Sequence, residues 1–316
     1  MEQYDKVIRR KHKSRIFKSK WDWIFYIGLL IIPITQVVIF YFVVNINSIL
    51  LAFKQYDGAS GQFMWSGETL KQMFTALHTD KGMIFRLVNS LIMYGVSMVV
   101  VLPLSLLFSF YIYKKKPASK FFRTMLFLPS VVSPIVLSML FGYFVDRAIP
   151  EIMLKWFGKE VDGLLAGLDT QFSTVIVYNA LLGFGVQVLM YANAMSGIND
   201  STIEAARLDG ANSMQEFWHI SLPSIFPTLT TFVVIGVAGL FTNQLNLLGF
   251  FNTSANVETQ SIGYYLAAEI LNASKVQGGV ARYPLLSAFG LLSTAIAVPL
   301  TFLVKFLMER FGPRTD

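Results

Sequence analysis

The sequence predicts an all-α integral membrane protein built on six transmembrane helices, and three observations predict it. Hydrophobic residues make up 54% of the 316 and charged ones only 14%, against roughly 25% charged in a soluble domain. Six stretches of more than twenty residues contain no Asp, Glu, Lys or Arg. The basic residues also fall unevenly on alternate connections between those stretches.

Crossing ~30 Å of hydrocarbon at about 1.5 Å per helical residue takes about 20 apolar residues. The first 22 residues form a basic tail carrying Lys6, Arg9, Arg10, Lys11, Lys13, Arg15, Lys18 and Lys20. A signal peptide starts in the same way. The run that follows, Ile24 to Val44, is longer than a signal's apolar region and has no small-x-small cleavage pattern after it, so it reads as an uncleaved first span. The other spans are Leu87 to Tyr113, Thr124 to Val145, Gln171 to Met195, Ile225 to Phe250 and Tyr283 to Val304, and the membrane region as a whole covers 23–311. Pro33, Pro103, Pro134 and Pro299 lie inside spans, where neighbouring groups can satisfy the freed carbonyls. They read as bends in preference to hinges.

Orientation follows from Lys and Arg. With both termini in the cytoplasm, 17 of the 26 basic residues are inside, including Lys114, Lys115, Lys116, Lys120 and Arg123 in one short connection. The excess charge of +7 therefore reads as topology and contact with anionic lipid, not as nucleic-acid binding. Cysteine is absent, which excludes disulfides and thiolate metal sites and fits a bacterial cell membrane. The outer connection from Asn45 to Phe85 is the longest and holds Tyr56, Gly58, Phe63 and Trp65.

The inner connection at 196–224 is different. It is poor in Lys and Arg and carries helix signals. Ser201-Thr202-Ile203-Glu204 and Ser213-Met214-Gln215-Glu216 each match a capping box. Gly210 is placed to end the first helix in the left-handed region. The second is expected from about Met214 to Ser221 and closed by Pro223, with Met214, Phe217, Trp218 and Ser221 sharing one face. A large apolar face on an inner connection packs on the protein itself, on headgroups, or on a partner.

These residues carry a resemblance. Glu204-Ala205-Ala206, then Asp209-Gly210-Ala211, then Phe217, Ile220, Leu222-Pro223 and Pro227 resemble the EAA motif of ABC importer permeases. Phe121-Phe122-Arg123-Thr124, Phe127-Leu128-Pro129 and Ser133-Pro134, with Phe217-Trp218-His219-Ile220, are similar to the first of the two permeases in carbohydrate importers of the maltose and glycerol-3-phosphate type. Where those permeases often carry Gly-Gly-Pro after span five, this chain has Asn252-Thr253-Ser254-Ala255-Asn256.

The resemblance implies a type I importer permease whose two short helices are coupling helices seated on an ATP-binding subunit. Glu204, Ala205, Ala206, Asp209, Gly210, Phe217, Trp218, Ile220 and Pro223 are then the ATPase-coupling residues, with Phe217, Trp218 and Ile220 as docking side chains. Pairing of Glu204 with Arg207 is the local alternative to a partner contact. The implied partners are a second homologous permease, two ATP-binding subunits that hold ATP-Mg, and an extracytoplasmic solute-binding protein facing the outer connections. The implied cargo is a sugar or oligosaccharide. Among uncharged polar residues of the spans, Gln187, Tyr191, Asn243, Gln244 and Asn246 are the route candidates, since amides bond hydroxyls and rings stack on sugar faces. Bonding between helices is the competing reading for each.

No Gly-x-x-x-x-Gly-Lys-Ser/Thr string occurs, so ATP is not bound here by that device. The spans hold no carboxylate or histidine, where an ion-coupled secondary transporter usually keeps one. Only His12, His78 and His219 exist, and no nucleophile-base-acid set accompanies them, so an enzyme is not expected.

Overall fold

The computed structural model describes residues 20–313. The expected basic tail, through Ser19, lies outside the described residues. Two units are distinguished, with a boundary after Leu51. The first is a helix, α1 (Trp23–Leu51), apolar on every side from Ile24 to Val44, as suits a helix surrounded by lipid.

The second unit begins with a hairpin of β1 (Lys54–Asp57) and β2 (Gln62–Trp65), paired antiparallel with Lys54 opposite Trp65. The Asp57 side chain accepts from the Ala59 and Ser60 amides at 3.1 Å each. The Ser60 hydroxyl and these amides hold its carboxyl below the ordinary value. Helix α2 (Glu68–Thr79) follows. Residues 54–79 of the long connection expected at 45–85 are thus folded.

Helix α3 (Lys81–Tyr113) runs unbroken from an N-cap in which Asp80 accepts from the Gly82 amide at 2.9 Å. The stretch from Thr124 to Val145 does not form one helix. It is divided between α4 (Ser119–Val131) and α5 (Pro134–Phe157), which meet at 105°. Pro134 drives Ser133 out of the helical region, to ψ 131°, because its ring crowds the preceding residue. Helix α6 (Leu168–Met195) is continuous.

After it come α7 (Asp200–Leu208), α8 (Ser213–Ser224) and α9 (Phe226–Ala238), the last two bent by 66°. The fifth expected span departs in the same way as the third. Its helix stops at Ala238, and the chain crosses 239–246 without regular structure before α10 (Leu247–Phe251). Helices α11 (Ile262–Lys275) and α12 (Tyr283–Phe311) complete the chain. Four helices are long and apolar enough to cross a membrane, and six crossings result when each bent pair counts as one.

Three wide turns have a common cause. The Leu102 amide bonds the Ser97 carbonyl in α3, the Ile149 amide the Phe144 carbonyl in α5, and the Leu222 amide the Phe217 carbonyl in α8. Each is a bond across five residues, and each donor is followed directly by proline: Pro103, Pro150 and Pro223. Proline lacks the N–H and its ring collides with the carbonyl four residues back. Widening the preceding turn relieves that collision without breaking the helix.

Four buried clusters hold the second unit together, and two of them bear on the site. One gathers Val145, Val175, Leu245, Leu247 and Tyr264. The other gathers Leu106, Tyr191, Met195, Phe217, Ile225 and Leu229, and joins α3, α6, α8 and α9. In lipid such clusters gain from close packing, since the surroundings are equally apolar. Polar clamps supplement them. Arg86 donates to Gln260 Oε1 at 2.8 Å and lies 4.0 Å over the Tyr265 ring, while the Asn89 amide donates to the Glu258 and Gln260 carbonyls at 2.7 and 3.0 Å.

Candidate functional site

The connection at 196–224 is a folded knuckle. Its first helix is capped by Asn199, whose side chain accepts from the Ser201 amide at 3.1 Å, so the cap precedes the Ser201 expected for it. At the other end the Gly210 amide bonds the Arg207 carbonyl at 3.1 Å and the Ala211 amide the Ala206 carbonyl at 2.9 Å. With Gly210 at φ +83°, this is a Schellman closure, and the left-handed residue it needs is one that only glycine supplies without penalty.

The second capping box also lies one residue earlier than expected. Asn212 Oδ1 accepts from the Met214 and Gln215 amides at 3.0 and 2.9 Å, and Gln215 Oε1 accepts from the Asn212 amide at 2.8 Å. Back-to-back caps leave little freedom between α7 and α8.

The knuckle has an inner and an outer side. Ile203, Glu216, Phe217 and Ser221 are buried, whereas Leu208 is 89% exposed, Met214 57% and Trp218 55%. Glu204, Ala205 and Asp209 are exposed, and Ala206, Ile220 and Pro223 are half-buried. Phe217 corrects the expectation of a docking side chain. It packs with its ring 5.2 Å from Phe110 and 5.3 Å from Trp218, inside the α3–α6–α9 cluster. Met214 and Trp218 therefore share the outer face, while Phe217 and Ser221 share the inner one. The Glu204–Arg207 pairing, the local alternative to a partner contact, is not among the ion pairs formed by the described residues.

Two features escaped the sequence reading. Leu208 is five residues past the buried Ile203, about 140° around the helix, so a helical projection from that inward residue would have placed it outside. Glu216 and Lys114 form a buried ion pair, tying α8 to the end of α3. The Lys114 ammonium also lies 5.5 Å from the Phe110 ring and 5.8 Å from the Tyr113 ring. Nothing in local spacing links two residues so far apart in the chain.

The five route candidates do not converge. Gln187 is half-buried in α6, with Oε1 lacking a hydrogen-bond partner. Tyr191 is fully buried, its hydroxyl is equally unpartnered, and its ring lies edge-on to Phe232 at 5.3 Å. Gln244 is exposed. Asn246 donates to Asn179 Oδ1 at 2.8 Å from a left-handed backbone, φ 55°, and holds the turn.

Asn243 lines a cavity of about 330 Å³ that also draws on Tyr94 and Ser97 of α3 and on Thr242. Its Oδ1 accepts from the Leu245 amide at 2.9 Å and its carbonyl from Ser261 Oγ at 2.7 Å. Gly263 packs against this segment, and a side chain there would come within 2.5 Å of the Thr242 carbonyl carbon. The cavity walls carry hydroxyls and amides but no charge. Among the described residues no group of three His, Asp or Glu could hold a metal.

Comparison with known proteins agrees with this architecture. Over 314 residues the chain is 23% identical to the polygalacturonan/rhamnogalacturonan transport system permease protein YteP of Bacillus subtilis, covering 98% of this chain and 95% of that one. It is 23% identical over 261 residues to the multiple sugar-binding transport system permease protein MsmF of Streptococcus mutans, covering 79% and 84%. A chain of the crystal structure of a bacterial ABC transporter involved in the import of the acidic polysaccharide alginate superposes with a TM-score of 0.76 at 22% identity, covering 92% of this chain and 97% of that one. That likeness establishes the shared importer-permease fold. Residues 101–316 match the family described as binding-protein-dependent transport system inner membrane component, and the chain belongs to that family, as a multi-pass permease subunit of an ATP-driven importer in which ATP acts through a separate ATPase.

Proposed function

We propose that this chain forms half of the translocation route of a carbohydrate importer and that its 196–224 knuckle is the seat of an ATP-binding subunit. The second half of the route is a homologous permease, two ATP-binding subunits sit on the cytoplasmic side, and a solute-binding protein delivers the sugar from outside. Both termini are cytoplasmic, in line with the 17 basic residues that this orientation places inside.

The observation that carries the proposal is the exposure of Leu208, Met214 and Trp218 on a doubly capped knuckle whose opposite face is locked into the bundle by Phe217 and Glu216. Exposed apolar groups of this size on a rigid support are what a partner groove selects as anchors. Glu204 is exposed on the same knuckle and forms no ion pair with Arg207, so it is available to a cation on the ATPase. Movement imposed on the knuckle passes directly into α3, α6 and α9, because Phe217 and Lys114–Glu216 join it to them. When ATP closes the ATPase dimer, the knuckle moves as a unit and biases the bundle between its two openings.

A carbohydrate cargo is supported by the relatives that transport sugars and polysaccharides and by the uncharged cavity at Tyr94, Ser97, Thr242 and Asn243. Amide and hydroxyl groups bond sugar hydroxyls without the cost of burying a charge. The test is Leu208→Asp in the assembled importer. ATPase activity stimulated by the loaded binding protein should fall at least tenfold while the chain still inserts in the membrane. Undiminished stimulation would remove the knuckle from the coupling route.

A further inference from the structure

We infer that the connection between α3 and α4 is a binding site for one anionic phospholipid, with the phosphate held by Lys115, Lys116, Lys120 and Arg123 and an acyl chain laid in the groove between α4 and α6. The four cations line a single cavity of about 410 Å³. No carboxylate lines it, and none of the four takes part in an ion pair among the described residues. Clustered like charges repel, so an arrangement that brings four together without a counter-charge fits an anion supplied from outside the chain.

The turn that gathers them is rigid and strained. Lys115 and Ala118 both adopt the left-handed region, at φ 50° and 59°, at a cost that the surroundings must over-determine. They do so here. The Tyr111 hydroxyl donates to the Pro117 carbonyl, the Ser119 amide to the Lys116 carbonyl at 3.0 Å, and Tyr111 packs with Phe108 and Phe122. Lys115 and Lys116 are therefore presented by a fixed loop, and Lys120 by the first turn of α4.

The occupant is identified by what adjoins the cavity. Arg123 also lines a second cavity, about 400 Å³, whose other walls are Thr124, Phe127, Leu189 and Asn193. The Arg123 guanidinium is oriented across this junction by Asn193 Oδ1, at 2.7 Å. A cationic pocket thus opens through one shared arginine into a groove between α4 and α6, floored by Phe127 and Leu189. Beside it Phe121, Phe127 and Leu128 are more than half exposed. Free phosphate has no use for the second compartment, whereas a phospholipid fills both.

The test uses the assembled importer reconstituted in phosphatidylcholine vesicles that contain a minor fraction of phosphatidylglycerol. The complex is extracted, and the phosphatidylglycerol retained relative to phosphatidylcholine is measured by mass spectrometry. The wild type should be enriched in phosphatidylglycerol. Lys116→Gln and Lys120→Gln should each lower the enrichment about fivefold, the effect of one basic residue at an anionic surface, and Phe127→Ser should lower it as well. Lys116→Arg with Lys120→Arg should restore it, and Lys155→Gln with Lys159→Gln should leave it unchanged. The site does not exist if the Lys116 and Lys120 variants retain full enrichment, or if the Lys155 and Lys159 pair loses as much. If inorganic phosphate displaces the lipid while Phe127→Ser has no effect, the pocket takes a free anion and the lipid assignment falls.

Discussion

Lys114, at the end of α3, and Glu216, at the start of α8, form an ion pair with side chains only 10% and 4% exposed, the one charged link between knuckle and bundle among the described residues. Its second carboxylate oxygen, Oε1, has no hydrogen-bond partner. The pair is thus incompletely compensated, and this determines how it responds to mutation. Removing one partner strands the other as a buried charge, at a cost of about 3–5 kcal/mol, whereas replacing both with apolar groups is often neutral or favourable. Glu216→Ala should lower the melting temperature of the purified importer sharply. Lys114→Met combined with Glu216→Leu should recover most of it. A double variant no better than the single one would show that the charges themselves are required.

Gly210 sets the angle between α7 and α8. A β-branched residue at φ +83° costs about 1–2 kcal/mol or more, and the chain escapes by opening the Schellman closure. The exposed Leu208 then shifts relative to Met214 and Trp218. Gly210→Val should reduce stimulated ATPase with membrane insertion intact. Gly210→Asn, which tolerates the left-handed region better, should retain more activity than the valine variant. Equal loss in both would point to the added side-chain volume and not to the backbone.

The natural absence of cysteine makes the two faces of the knuckle directly measurable. Leu208→Cys and Trp218→Cys should react quickly with a membrane-impermeant maleimide in inside-out vesicles and slowly in right-side-out ones. Phe217→Cys should resist in both, because that side chain is 2% exposed. Bound ATPase subunits should protect the first two. Labelling from the outer side would reverse the proposed topology.

Much of this was legible in the sequence, and what was not has identifiable physical causes. Hydropathy located all six apolar stretches because lipid demands only length and composition. It does not register direction, so the 105° break at Val132–Ser133 and the end of α9 at Ala238 were invisible to it. The knuckle's two helices and Gly210 were predicted because caps are local chemistry. Asn199 and Asn212 took the caps expected of Ser201 and Ser213, since serine and asparagine cap comparably and stand close together in both places. Phe217 was misassigned because a regular period was assumed across Met214 to Ser221. The chain instead takes a wide turn at Phe217–Ser221, with Phe217 inside and Trp218 outside. Lys114–Glu216 and the Tyr94–Asn243 cavity depend on tertiary approach, which one sequence does not encode in any local spacing.

Pro223 gives the wide turn at Phe217–Ser221 a test. Its missing N–H leaves the Leu222 amide bonded to Phe217, five residues back. Pro223→Ala restores the donor and allows an ordinary turn, which would shift the residues before it by up to one position, about 100°. Trp218 should then lose its outward position, and the cysteine placed there should label more slowly. Unchanged labelling would mean that packing on Phe110, not proline, holds the wide turn.

Tyr191 separates a route residue from a packing residue. Its ring is wholly buried among Leu106, Met195, Phe217 and Leu229, and its hydroxyl finds no partner there. An unmet buried hydroxyl costs about 1–3 kcal/mol, so Tyr191→Phe removes a liability and keeps the edge-on contact with Phe232. The variant should be at least as stable as the wild type and should import with an unchanged KM. Asn243→Ala, by contrast, strips an amide from the cavity wall and also releases the Leu245 amide, so KM should rise and stability should fall. If Tyr191→Phe raised KM while Asn243→Ala left it alone, the route would run along α6, and the cavity at Tyr94 and Asn243 would lose its assignment.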